Sequence, residues 1–166
     1  MQEIIDVDTG KLAVSRGDVL LRSMAIGSCI AITAYDPKTK NAGLAHIMLP
    51  DEAPEKSHDK NKYAINGIEQ MLRQMTESGS VIDDIEACLV GASNVLQKED
   101  NNICKNNIRS VVAILAEKNI PVKASALGGN ERKSAFMDAQ TGCVFFTQGN
   151  GRKKMLWNYQ KQTACL

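Results

Sequence analysis

The chain has 166 residues, of which 43% are hydrophobic and 23% charged, and its formal net charge is +1. A polypeptide of this size and balance forms one ordinary domain with a substantial core, here expected over residues 1–166, and its composition is not that of a disordered or membrane chain. A net charge near zero offers no electrostatic basis for holding nucleic acid, and no apolar run approaches the roughly 20 residues of a membrane-embedded helix.

The N-terminus, Met1-Gln2-Glu3-Ile4-Ile5-Asp6, has no basic stretch followed by an apolar one, so a secretory leader is not expected. Residues 11–35 read as strands. Lys11-Leu12-Ala13-Val14 is closed by Ser15-Arg16-Gly17-Asp18, Val19-Leu20-Leu21 follows, and Ile26-Gly27-Ser28-Cys29-Ile30-Ala31-Ile32 leads into an apolar strand ending near Tyr35. The polar run Asp36-Pro37-Lys38-Thr39-Lys40-Asn41 has turn chemistry. It predicts a hairpin with the strand from Gly43 to Leu49, which carries His46 and ends at Pro50. Residues 51–61 are charged and without periodicity, and read as a surface loop.

Ala64, Ile68, Met71, Leu72 and Met75 recur at helical spacing, which predicts a first helix over 61–78. Asp59 or Asn61 is the expected cap and Gly79 the stop. Ile85 to Gly91 is an apolar strand, expected to be central. A second helix is predicted over about 102–118, with Ile108, Val111, Val112 and Leu115 as its stripe, Cys104 on the same face, and Asn119 and Pro121 as terminators. Pro121 to Leu127, Lys133 to Ala139 and Cys143 to Thr147 read as strands, the last two around a turn at Gln140-Thr141-Gly142. Arg152-Lys153-Lys154 reads as a solvated basic patch. The sum is two amphipathic helices with seven to nine strands. Helices on one sheet face and strands left over for a second sheet give an α+β class: a three-layer α/β/β sandwich of mixed sheets.

The five cysteines, Cys29, Cys88, Cys104, Cys143 and Cys165, are odd in number and form no C-x-x-C pair. This argues against a disulfide framework and a structural zinc site and fits free thiols in a reducing cytoplasm. Cys88 and Cys104 read as packing residues. Only His46 and His58 can supply an imidazole, and His58 lies in the charged loop, so no metal site is expected.

Cys29 follows Gly27-Ser28, residues that permit a sharp turn with converging N–H groups of the kind an oxyanion hole requires. A histidine on the neighbouring strand can take the thiol proton and activate the nucleophile. Ser23, on the preceding segment, has a hydroxyl and a carbonyl that could orient the imidazole. Against this stands the plainer reading of a buried cysteine and a satisfied core histidine; the pattern alone leaves both open.

Ile26-Gly27-Ser28-Cys29-Ile30-Ala31, Gly43-Leu44-Ala45-His46-Ile47-Met48-Leu49-Pro50 and Lys62-Tyr63-Ala64 resemble the CheD family of chemoreceptor glutamine deamidases. So do Gly91-Ala92-Ser93, Ile103 to Asn107-Ile108, and Gly128-Gly129 with Arg132, Phe136 and Thr141-Gly142. The resemblance runs from about residue 11 to 147 and does not cover the tail from about 150. It implies an α/β/β sandwich similar to the catalytic domain of cytotoxic necrotizing factor and a Cys-His-Thr triad. Cys29 is then the nucleophile, His46 the general base and acid, and Ser23 stands where the family usually has Thr. Met24-Ala25-Ile26 stands in place of the usual Leu-Gly-Leu.

The resemblance implies deamidation of glutamines on the cytoplasmic helices of chemoreceptors through a thioester, with no cofactor, and extends to glutamyl methyl esters. It also implies a CheC-type phosphatase as a partner, so the alternative is a non-catalytic adaptor that binds receptor and phosphatase. A transglutaminase-like acyl transfer to an amine shares the same Cys-His chemistry. A helical substrate implies an open groove, with residues near Gly128-Gly129 and the 51–61 loop as its expected lining.

Overall fold

The computed structural model describes residues 1–161 and the backbone of Thr163 and Ala164. In chain order its elements are β1 (Glu3–Asp6), β2 (Leu12–Ser15), β3 (Val19–Ile26), β4 (Ile30–Asp36), β5 (Asn41–Ile47), α1 (Ala64–Glu77) and β6 (Glu86–Gly91). Then come α2 (Asn102–Glu117), β7 (Val122–Leu127), β8 (Lys133–Asp138), β9 (Val144–Gln148), β10 (Lys154–Asn158) and β11 (Thr163–Ala164). The strands form a five-stranded sheet in the order β2-β5-β4-β6-β7 and a six-stranded sheet in the order β1-β3-β8-β9-β10-β11. Both are mixed: β6 pairs with β7 and β1 with β3 in parallel, while the other pairings are antiparallel.

β4 and β5 are buried at every position, because the five-stranded sheet is covered on both sides. Ile30, Ile32 and Ile47 point to a core shared with Ile68, Met71 and Met75 of α1 and Val111 and Leu115 of α2. The alternate residues Ala31, Tyr35 and Leu44 point to a second core shared with Leu21, Ile26, Ala135 and Met137 of the six-stranded sheet. Helices, sheet and sheet make the α/β/β sandwich that two amphipathic helices and surplus strands imply. Each fully buried Leu, Ile or Met contributes roughly 1.5–3 kcal/mol, so the two cores rather than local propensity hold the layers together.

Eleven strands are present among the described residues, more than the seven to nine expected. β1 is short and carries Glu3 and Asp6, which masks its role as an edge strand added in parallel to β3. The basic patch also belongs to the sheet: Lys154 begins β10, whose Leu156 and Trp157 are buried, and Lys153 Nζ sits 4.0 Å from the centroid of the Phe136 ring.

α1 begins at Ala64 and neither Asp59 nor Asn61 caps it. Its first N–H groups go instead to the carbonyls of Leu49 (2.9 Å from Ala64 N) and Asp51 (3.1 Å from Ile65 N), so the end of the histidine strand caps the helix. Gly79 (φ 102°) and Asn119 (φ 57°) close α1 and α2 in left-handed geometry, as their positions predict. On α2 the buried stripe differs from the apolar count. Val112 is exposed, Ile114 is buried, and two polar residues, Asn107 and Ser110, face inward.

Candidate active site

Gly27-Ser28-Cys29 is the crossover by which the chain leaves β3 in one sheet and enters β4 in the other. Cys29 therefore stands at the mouth of the space between the sheets, half-exposed and packed against the inter-sheet core. His46 is paired with Ala31 across β4 and β5. Paired residues share a sheet face, and Cys29, like Ala31, packs against the inter-sheet core, so thiol and imidazole lie toward the same side of the five-stranded sheet. Ser23 reaches the same space from β3.

His46 is only 4% exposed. Its Nδ1 lies 3.2 Å from the Val7 carbonyl, and the Ser23 hydroxyl donates to the same carbonyl at 2.7 Å. A carbonyl can only accept, so Nδ1 carries the hydrogen and Nε2 is left with its lone pair. Nε2 is buried and takes no hydrogen-bond partner among the described residues. The backbone of His46 is held as well: its N–H donates to Lys11 O at 3.0 Å and its carbonyl accepts from Gly10 N at 2.9 Å. Residues 7–11 thus wrap His46. They gave no side-chain signal in the sequence, because what they supply is backbone.

The cysteine turn is tied down through its carbonyls. Gly27 O accepts from Ser93 N at 2.8 Å and Cys29 O from Ala92 N at 2.7 Å. Ser28 O accepts from Asn107 Nδ2 at 3.0 Å. Neither Ser28 nor Cys29 uses its N–H in a turn or loop hydrogen bond to the backbone among the described residues. The Ser28 N–H is thus left free beside the thiol, and a donor so placed is what an oxyanion hole requires. Gly91 makes the close approach possible, since a Cβ there would sit 2.3 Å from Cys29 O.

Burial pushes the Cys29 thiol up and, less strongly, so does the neighbouring Cys104, while its own backbone N–H lowers it. Burial pushes the His46 imidazole down, against the Val7 hydrogen bond and the charge of Asp8. Both directions favour the neutral thiol and neutral imidazole over a resting ion pair. Cys88 is a buried packing thiol, pushed up to about 12 by desolvation. Cys165 lies outside the described residues.

A cavity of about 330 Å³ opens on Cys29. It is bounded by the cysteine turn, Val95 and Leu96, Ile103 and Cys104 at the start of α2, and Arg132. The 51–61 loop does not line it, and Gly128-Gly129 face a different cavity of about 300 Å³. The wall comes from the segment after β6 because the Ala92 and Ser93 N–H bonds to the cysteine turn bring that segment alongside it. No group of three or more Cys, His, Asp or Glu residues is placed to hold a metal among the described residues, and no described helix is long and apolar enough to cross a membrane.

The family model for CheD chemotactic sensory transduction matches residues 48–148. The "Probable chemoreceptor glutamine deamidase CheD" of Chlorobium luteolum is 37% identical over 152 residues, covering 91% of this chain and 76% of that protein. The "Chemoreceptor glutamine deamidase CheD" of Bacillus licheniformis is 32% identical over 144 residues, covering 83% of this chain and 86% of that protein. The protein of the same name from Thermotoga maritima is 26% identical over 155 residues, covering 93% of this chain and 97% of that protein.

Proposed function

The chain belongs to the CheD family, and from that premise we propose that it hydrolyses glutamine side chains of chemoreceptors to glutamate, with Cys29 as nucleophile, His46 as base and acid, and Ser23 as a positioning residue. The single observation that carries the assignment is the Val7 carbonyl on Nδ1 of His46. It leaves Nε2 as a neutral base on the sheet face that also carries Cys29.

Nε2 takes the thiol proton as sulfur attacks the amide carbon, and the new C–S bond makes a tetrahedral oxyanion beside the N–H groups of Ser28 and Cys29. The protonated imidazole gives its proton to the departing nitrogen. The C–N bond breaks, ammonia leaves, and a thioester remains. Water then loses a proton to Nε2 as it attacks the thioester, the C–S bond breaks, and the proton returns to sulfur. A glutamyl methyl ester follows the same route with methanol as the leaving group. No step draws on a cofactor. Ser23 acts through the carbonyl it shares with His46 and does not touch the reacting atoms.

The cavity beside Cys29 is bordered by exposed Leu96 and Ile103, which suits a receptor helix presenting glutamine from an amphipathic surface. Localisation follows the substrate: the receptor's cytoplasmic helices place the enzyme in the cytoplasm. The test is ammonia release from a purified receptor cytoplasmic fragment. Cys29→Ala should lower the rate by at least about 10³-fold; release at the unmodified rate would sink the mechanism. The competing reading, an adaptor that binds receptor and a CheC-type phosphatase without turnover, expects no ammonia from the unmodified chain. Alkylation speed does not separate the two, because burial holds the resting thiol protonated in either case.

A further inference from the structure

We propose that Asn107 of α2 is a positioning residue that sets the nucleophile turn against the base strand; this rests on the deamidase reading of Cys29 and His46. Asn107 is fully buried. Its amide nitrogen donates twice, at 3.0 Å to Ser28 O and at 3.1 Å to Met48 O. Ser28 precedes the nucleophile by one residue, and Met48 follows the base by two. One side chain therefore joins the two segments that must meet for proton transfer, and it does so from a third element.

Three points distinguish this from ordinary helix packing. First, asparagine is a poor choice for a helix face turned to an apolar core, and its Oδ1 is buried without a partner, a cost that apolar packing would avoid. Second, both hydrogens of the amide are used on main-chain carbonyls, which have no side-chain alternative to turn to. Third, the bond to Ser28 O holds that carbonyl toward α2. Together with the bonds from Ser93 N and Ala92 N to its neighbours, it fixes three successive carbonyls and hence the peptide planes whose N–H groups flank the thiol. Ser110, one turn along, bonds Asp51 N at 2.7 Å and so anchors α2 beyond the site without touching the cysteine turn.

The experiment compares Asn107→Leu, Asn107→Ser and the control Ser110→Ala with the unmodified chain. Steady-state ammonia release from the receptor fragment should show kcat reduced by about 10²-fold in both Asn107 variants with KM within about threefold, as a misplaced reacting group predicts. Ser110→Ala should stay within about threefold in kcat. A second readout needs no substrate: the thiolate absorbance of Cys29, taken as the difference from a Cys29→Ala chain, followed against pH. Loss of the ties from Asn107 lets the peptide planes beside the thiol turn and changes how its sulfur is screened, so the midpoint should shift in the Asn107 variants. His46, Cys104 and the rim charges Lys98, Asp100 and Arg132 are common to all chains compared.

An unmoved midpoint together with a kcat within about threefold overturns the proposal, and so does a rise in KM alone, which would make Asn107 a substrate contact. If Asn107→Leu does not fold, Asn107→Ser, which leaves room for water, carries both readouts. If the unmodified chain releases no ammonia, the deamidase reading fails separately and the thiolate midpoint alone decides whether Asn107 shapes the turn.

Discussion

The two halves of the site are built in different ways. The half we assign to the base is closed: His46 is nearly inaccessible, and its ring and both backbone groups are held by the main chain of residues 7–11. The half we assign to the nucleophile is open: Cys29 is partly buried on a cavity of about 330 Å³, and its turn depends on residues that only one side chain can fill, Gly91 and Asn107. A carbonyl is supplied by any residue in the right fold, so the base half should tolerate side-chain change. The nucleophile half should not.

Gly91→Ala tests the intolerant half and should have the largest effect on stability. Gly91 has φ 129°, and a Cβ there would lie 2.3 Å from Cys29 O and 2.8 Å from Ile26 Cγ2. Neither the backbone oxygen nor the β3 core residue can move without shifting the turn. A loss of roughly 3 kcal/mol in urea unfolding is expected, with ammonia release down by about 10²-fold at temperatures where the variant remains folded. Wild-type stability and rate would mean the turn is far more plastic than its ties suggest.

Ser23→Ala tests the tolerant half. It removes the hydroxyl bond to Val7 O, and a buried hydrogen bond of this kind is worth about 1 kcal/mol. Nδ1 of His46 keeps the same carbonyl, so kcat should fall by less than about tenfold. If Ser23→Ala were as damaging as Cys29→Ala, the hydroxyl and not the backbone would be orienting the base, and the contrast between the halves would break.

The sequence made the open half easier to read than the closed one. Gly27-Ser28 before Cys29, the apolar runs of β4 and β5 and the turn between them place thiol and imidazole on one strand pair, because hairpin pairing follows from apolar runs and turn chemistry. The two helices were legible from their apolar spacing. Val7 was not, since its contribution is a carbonyl oxygen that every residue carries. β1 and β10 were missed because short strands with charged ends show little alternation. Asn107 did leave a signal, a polar residue on the inward face of α2 in line with Cys104 and Val111, but an apolar count passes over it. The cap of α1 by the carbonyls of Leu49 and Asp51 is likewise tertiary and has no local signature.

The acid limb of the rate against pH sharpens the difference in burial. Desolvation lowers the His46 pKa from its ordinary value of 6.5. The neutral base therefore persists below that pH, and the acid midpoint of kcat/KM should fall under about 6.5. Stability has a linked sign. Below about pH 6.5 the unfolded chain binds a proton that the folded histidine still refuses, so His46 makes the protein less stable as pH drops through that window. A midpoint above 6.5 would mean that the imidazolium is favoured in the fold and that the base half is wetter than its exposure indicates.

The smallest expected effect lies just before the nucleophile turn. The β3–β8 register slips between Ser23 and Ile26, and Ala25 in this bulge has φ 53°. Its N–H donates to Ser134 Oγ at 3.0 Å, which holds the conformation in place. An L side chain in the left-handed region costs about 1–2 kcal/mol, part of which glycine returns through its greater freedom when unfolded. Ala25→Gly should therefore stabilise the protein by about 0.5–1 kcal/mol, read as a higher urea midpoint at unchanged slope. Because the carbonyls of Gly27, Ser28 and Cys29 are each tied from β6 and α2, relief of strain at Ala25 should not reach the thiol, and kcat should stay within about twofold. A gain in stability accompanied by a large change in kcat would show that the bulge, and not only the ties behind the turn, sets where Cys29 points.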